Sequence, residues 1–156
     1  ISAGNLDKDM FRTVASKQVP YVAMHMPGTP GTMQKMTNYD DLVTDLVYVF
    51  SKKISELREL HINDIIIDVG FGFGKTLEQN YTLLRKLEVF HMLGVPILTG
   101  ISRKSMVYKI IGTGPEQALN GTTVANTLAL LKGSNILRVH DVKEAVEAIK
   151  ITRAYV

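Results

Sequence analysis

Short apolar runs alternate with longer amphipathic stretches along this chain, and the alternation predicts its elements. Residues 19–26 (Val-Pro-Tyr-Val-Ala-Met-His-Met) are rich in β-branched and aromatic side chains and read as a strand, with Pro20 tolerated near its start. A loop, Pro27-Gly-Thr-Pro-Gly31, follows, and then Leu42, Leu46, Phe50, Ile54 and Leu57 recur at close to the helical repeat. Ile65-Ile-Ile-Asp68 is a continuous apolar run, as expected of a strand covered on both faces, and residues 77–93 after it have helical spacing up to Gly94. Residues 95–99 predict a third strand, 102–111 and 116–132 helical segments ended by Gly133, and 136–139 a fourth strand. In the last helix Asp141 and Glu144 have capping-box spacing, and Val142, Ala145, Val146 and Ile149 form the expected apolar stripe. Residues 9–17 predict one more helix ahead of the first strand.

Strands regularly followed by helices argue for an α/β fold with a parallel sheet and one domain spanning 1–156. Two architectures fit that rhythm. A (β/α)8 barrel takes about 250 residues, so a chain of 156 with four predicted strands would be half of one. A small doubly wound sheet would also use four strands. Composition narrows the function more than the fold. Eighteen Lys and Arg against 15 Asp and Glu leave a net charge of only +3, too little for the basic face of a nucleic-acid binder. Every apolar run breaks before the roughly 18 residues of a membrane span, and the absence of cysteine removes disulfides and thiolate metal sites. A soluble protein is expected, by default cytoplasmic.

Candidate chemistry begins at Asp68-Val-Gly-Phe-Gly-Phe-Gly-Lys75, where a strand opens into a turn whose glycines let backbone approach a ligand closely. A phosphate loop would need glycine where Val69 stands, and a dinucleotide fingerprint would need it at Lys75, so both patterns fail by one residue. The residues alone leave a flexible turn open as well, with Asp68 capping it. Residues 67–75, however, are similar to the Asp-Pro-Gly-Phe-Gly-Phe-x-Lys segment of the dihydropteroate synthases, with Val69 in place of the usual proline. The resemblance implies that Asp68 pairs with the amino-pyrimidine edge of a pterin, that Phe71 and Gly72 line the pterin pocket, and that Phe73 packs on an aromatic amine.

Three further segments carry the same resemblance. Thr99-Gly-Ile-Ser-Arg-Lys-Ser-Met106 holds a Ser-Arg-Lys that by itself reads more readily as a solvated basic turn than as a site. In the family Gly100 belongs to the pterin pocket, and the lysine matching Lys104 contacts the pterin and separates the two substrates. Ser105 would face the carboxylate of p-aminobenzoate. Ile136-Leu-Arg-Val-His-Asp-Val142 resembles the family's Arg-Val-His-Asp-Val, in which Arg138 and His140, two apart and so on one side of an extended chain, receive pyrophosphate. Unaided, the same residues allow Arg138 to pair with a carboxylate, and Asp141 is assigned to helix capping. Met24-His-Met26 resembles Met-His-Met-x-Gly: Met24 would line the pterin pocket, whereas His25, on the opposite side of the strand, reads as a hydrogen-bonded structural histidine.

Ile1-Ser-Ala-Gly4 resembles the tail of a further family motif, Asn-Asp-Ile-Ser-x-Gly. The likeness therefore implies the C-terminal half of a pterin-binding barrel, with Lys104, Arg138 and His140 in catalytic roles and Mg2+ ligated from the other half. The implied substrates are a pterin pyrophosphate and p-aminobenzoate, the implied partner a second copy or the other half barrel. A non-catalytic half-barrel module and a methyltetrahydrofolate-dependent methyltransferase are the alternatives.

Overall fold

The computed structural model describes residues 2–156, so Ile1 of the Ile1-to-Gly4 likeness lies outside the described residues. Its elements are α1 (Met10–Lys17), β1 (Tyr21–Met24), α2 (Leu42–Glu59), β2 (Ile65–Asp68), α3 (Leu77–Arg85), β3 (Ile97–Thr99), α4 (Ser105–Tyr108), α5 (Leu119–Leu131), β4 (Ile136–Leu137) and α6 (Val142–Tyr155). All pairings are parallel and the strands lie in the order β1-β2-β3-β4. A doubly wound sheet reverses its strand order at a switch point. This sheet does not, and with right-handed crossovers a sequential order puts every helix on one face. That is barrel winding, over four strands.

The two faces of the sheet follow from the register. Ala23, Ile67 and Ile97 stand in one row and are fully buried in the core with Leu46, Phe50 and Leu57 of α2, Leu83 of α3, and Phe90. The alternating row, Met24, Asp68, Leu98 and Ile136, points to the opposite, inner face. There Val22 and Ile66 are half-buried and Ile136 is 36% exposed.

The elements differ from the sequence expectation where packing overrides periodicity. The helix expected over 77–93 breaks at Lys86 (φ −105°, ψ 18°) and continues as a 3₁₀ segment, Leu87–Leu93. Residues three apart eclipse in a 3₁₀ helix, which buries both Leu87 and Phe90 completely. Only one turn, α4, forms within 102–111, and Pro115–Gln117 is a short 3₁₀ turn before α5. The fourth strand is two residues long, although the Arg138 amide still donates to Thr99 O at 2.9 Å. On α6 the buried side is Ala145, Ala148 and Thr152, leaving Val142 and Val146 exposed. α6 packs on α5, whose buried positions include Ala125 and Ala129; small side chains let two helices approach closely, so bulkier valines point outward.

Candidate functional site

Every site residue predicted from the sequence lies at or just beyond the carboxyl end of a strand. Met24 ends β1, Asp68 ends β2, Gly100 follows β3 and Arg138 follows β4. Barrel proteins build ligand sites at this end. A larger groove of about 580 Å³ between Ser51, Arg58 and Met92 lies at the other end, by the C-terminus of α2.

Asp68 is the buried centre, at 1% exposure. Its Oδ1 accepts the Gly70 N–H at 2.8 Å and its Oδ2 accepts Arg138 Nη2 at 3.0 Å. The carboxylate pairing of Arg138 is therefore present. Gly100 makes room for it, since a Cβ there would lie 2.7 Å from Arg138 Nη2. Arg138 itself is 50% exposed, held at one end only.

The glycine turn is bound on all sides. Gly70 has φ +73°, and a Cβ would come 1.9 Å from the His25 carbonyl, so β1 and the turn meet where only glycine fits. Gly72 N–H donates to Asn80 Oδ1 at 2.7 Å. Phe71 is fully buried, whereas Phe73 is half-buried beneath Lys104 Nζ, 4.7 Å from its ring centroid. Lys104 Nζ also donates to Phe71 O. Burial pushes the Lys104 ammonium down to about 8, with Arg138 adding repulsion and Asp68 working against both. Near neutral pH it remains mostly charged.

The turn carrying Lys104 is braced against the β4 end. Ser102 Oγ lies 2.9 Å from His140 Nδ1 and accepts the His140 N–H at 3.2 Å. Arg103, at φ +53°, donates its Nε and Nη2 to the two oxygens of Asp141 at 2.9 and 2.8 Å, and Nη1 to Pro115 O and Glu116 O. The capping role expected of Asp141 is thus corrected: its side chain makes no cap hydrogen bond, because Arg103 takes both oxygens and holds the carboxyl below its usual range. A cleft of about 150 Å³ opens between the two ends, lined by Gly100, Ser102, Lys104, Arg138, Val139 and His140. Gly72 and Ser105 line another, of about 210 Å³, together with Lys75 and Asn80. Ser105 heads a four-residue helix, a single turn.

Sequence reasoning assigned no site role to Ser102, Arg103, Lys75 or Asn80. Asn80 left a signal: it stands on the apolar stripe of α3 between Leu77 and Leu84, where a polar residue must have a partner. Arg103 left none, because its partners lie up to 38 positions away. His25 is hydrogen-bonded and buried as expected, but its partner, Lys75 Nζ at 3.0 Å, was not foreseen.

Sequential parallel strands with polar side chains gathered at their carboxyl ends define part of a (β/α)8-barrel protein with its ligand site at that end. Residues 1–140 match the family model described as pterin binding enzyme. The dihydropteroate synthase of Escherichia coli strain K12 is 40% identical over 146 residues, covering 92% of this chain and 52% of that protein. The Synechocystis enzyme of the same name is 37% identical over 157 residues, covering 99% and 54%. A Yersinia pestis dihydropteroate synthase solved with a sulfonamide drug complex superposes with a TM-score of 0.95 at 39% identity, covering 99% of this chain and 57% of that one. Thermus thermophilus dihydropteroate synthase structures in complex with 6HMPPP and with 4-aminobenzoate each match at 36% identity, with TM-scores of 0.92 and 0.91 over 97% and 95% of this chain and 61% of theirs. The chain belongs to the pterin-binding enzyme family, and it spans about half the length of the curated relatives it matches, aligned to their C-terminal half. No helix among the described residues is long and apolar enough to cross a membrane.

Proposed function

We propose that this chain forms the C-terminal half of a dihydropteroate synthase domain. In the whole protein it would serve the alkylation of p-aminobenzoate by 6-hydroxymethyl-7,8-dihydropterin pyrophosphate. The observation that carries this reading is the placement of Lys104 between Phe71 O and the Phe73 ring, beside the Asp68–Arg138 pair. The ligands named for the Thermus relatives support the two substrate classes.

Asp68 offers a pterin edge an in-plane acceptor inside a buried pocket, with Gly70 N–H keeping Oδ1 in place. Arg138 then exchanges Asp68 for the pyrophosphate, which its half-exposed side chain permits, and His140 lines the same cleft. Of the pterin-pocket residues that the resemblance implies, Gly100 lines the cleft of Lys104 and Arg138, Gly72 lines the neighbouring cleft, and Met24 and Phe71 are buried; Lys104 donates to a pterin acceptor while its aliphatic stem separates the two clefts. Phe73 stacks on the aminobenzoate ring and Ser105 bonds its carboxylate. The carbon–oxygen bond to pyrophosphate breaks, the amine lone pair forms the new carbon–nitrogen bond, and the amine proton leaves to solvent. Arg138 and His140 stabilise the charge developing on the departing pyrophosphate.

Magnesium, which the resemblance implies, does not fit the donors of this half: among the described residues no three His, Asp or Glu side chains gather to hold a metal, Asp68 is bound by Arg138, and Asp141 by Arg103. The edge strands β1 and β4 and the thinly covered inner face support pairing with the other half of a barrel. The test is dihydropteroate formation by the full-length protein with Lys104→Ala and Arg138→Ala. Each should lose ~10²-fold or more in kcat/KM; unchanged turnover in both overturns the assignment.

A further inference from the structure

Lys75 is buried beneath the glycine turn, at 6% exposure, and borders the cleft that also holds Ser105. Its Nζ reaches Phe73 O at 2.9 Å, His25 Nδ1 at 3.0 Å and Gly70 O at 3.1 Å, one acceptor for each ammonium hydrogen. This arrangement requires Nδ1 of His25 to be unprotonated, with the proton on Nε2. Burial, with repulsion from Lys75, pushes His25 down to about 3, so it stays neutral and can accept. The groups facing Lys75 are His25 from the β1 end, Asp68 from β2 and Lys104 from the turn before α4. Burial lowers Lys75 to about 7, Lys104 adds to this and Asp68 opposes it.

The turn is therefore gripped from two sides: Lys75 holds its first and last carbonyls, Gly70 O and Phe73 O, while Lys104 holds the middle one, Phe71 O. Its two phenylalanines depend on that grip unequally. Phe71 is fixed by the core in any case, being fully buried, whereas Phe73 is only half-buried and has the Lys75 bond to its own carbonyl as a restraint.

We propose that Lys75 is a positioning residue for the amine substrate, acting through the backbone of Phe73 to hold that ring where p-aminobenzoate stacks, with His25 holding Lys75. This rests on the dihydropteroate synthase reading above. It assigns a task to a buried cation that the reaction itself does not use.

The experiment measures KM for p-aminobenzoate, KM for the pterin pyrophosphate and kcat in the full-length enzyme for Lys75→Met, Phe73→Ala and the double variant. Losing a charge-assisted hydrogen bond should raise the aminobenzoate KM of Lys75→Met on the order of tenfold, with pterin KM and kcat changed less than about twofold. Because Lys75 acts through Phe73, adding Lys75→Met to Phe73→Ala should raise that KM no further. A purely structural lysine would lower the amount of folded enzyme, and so apparent kcat, while leaving KM alone; that result overturns the proposal, as does full additivity in the double variant. Should Lys75→Met not fold, Lys75→Gln, which retains a donor, must show the same selective rise in smaller degree, and failure of both to fold assigns Lys75 to stability alone and also overturns it. If the unmodified enzyme makes no dihydropteroate, or Phe73→Ala leaves the aminobenzoate KM unchanged, the functional reading fails first, whatever Lys75 does.

Discussion

The glycine turn after β2 and the segment after β4 both end in the same site, yet they are built in opposite ways. The turn is a floor: Phe71 and Asp68 are buried, and the turn's polar groups meet Asn80, Lys75 and Lys104. The β4 segment is a rim: the strand itself is two residues long, Arg138 is half-exposed and held by a single ion pair, and His140 leans on Ser102. A flat, neutral heterocycle is best received by groups that do not reorganise, because their orientation is settled during folding. A departing anion moves as it leaves, and half-exposed cations can follow it. Under the proposed function, the contrast in burial matches a contrast in what each part would bind.

The sharpest way to break this comparison is to truncate an aromatic ring on the floor. Phe71→Ala should destabilise the chain by about 3–5 kcal/mol, as expected for a fully buried phenylalanine, whereas Phe73→Ala should cost under about 1 kcal/mol. Urea denaturation of the two variants measures the difference, and equal losses would mean the turn is no more fixed than its neighbours. A smaller effect should come from Gly100→Ala, where the added methyl displaces Arg138 from Asp68. Stability should fall by about 1–3 kcal/mol because the buried Asp68 carboxylate loses its ion-pair partner, while kcat/KM in the full-length enzyme falls about tenfold, roughly 1.4 kcal/mol. The smallest signature is a pH dependence of stability.

Lys75 and Lys104 are lowered by burial to about 7 and about 8, below their ordinary 10.5. Between those values and 10.5 the unfolded chain binds more protons than the folded one, so stability should rise as pH increases through that window. His25, lowered from 6.5 to about 3, acts in the same sense at the acid end, where stability should fall as pH drops from 6.5 towards 3. Denaturation midpoints at pH 4, 6.5 and 9 test both limbs, and Lys75→Met should flatten the alkaline one.

Much of the fold was written locally. The run Ile65-Ile-Ile-Asp68 and the helical spacing of α2 named their elements because backbone geometry imposes a period on any buried face. The break at Lys86 and the outward turn of Val142 and Val146 on α6 were not legible: each depends on which neighbour the helix meets, and an apolar side chain reads the same whether it faces a core or water. The site divided in a similar way. Asp68, Phe71, Phe73, Lys104 and Arg138 stood out because their segments resemble those of the dihydropteroate synthases, the residues alone leaving a flexible or solvated turn open. The roles of Arg103 and Lys75 stayed hidden because their partners are mostly far off in sequence or are backbone carbonyls, which every residue has.

By itself, then, the sequence determined the alternation of strands and helices, the glycine turn and the chemistry brought to the strand ends. Each of these depends on the identity and spacing of neighbouring residues. Tertiary structure alone decided the sequential strand order that makes this barrel winding, the capture of Asp141 by Arg103, and the grip of Lys75 on the turn. Those choices are made by groups that meet only after the chain has folded back on itself, and burial then sets the worth of each hydrogen bond and charge.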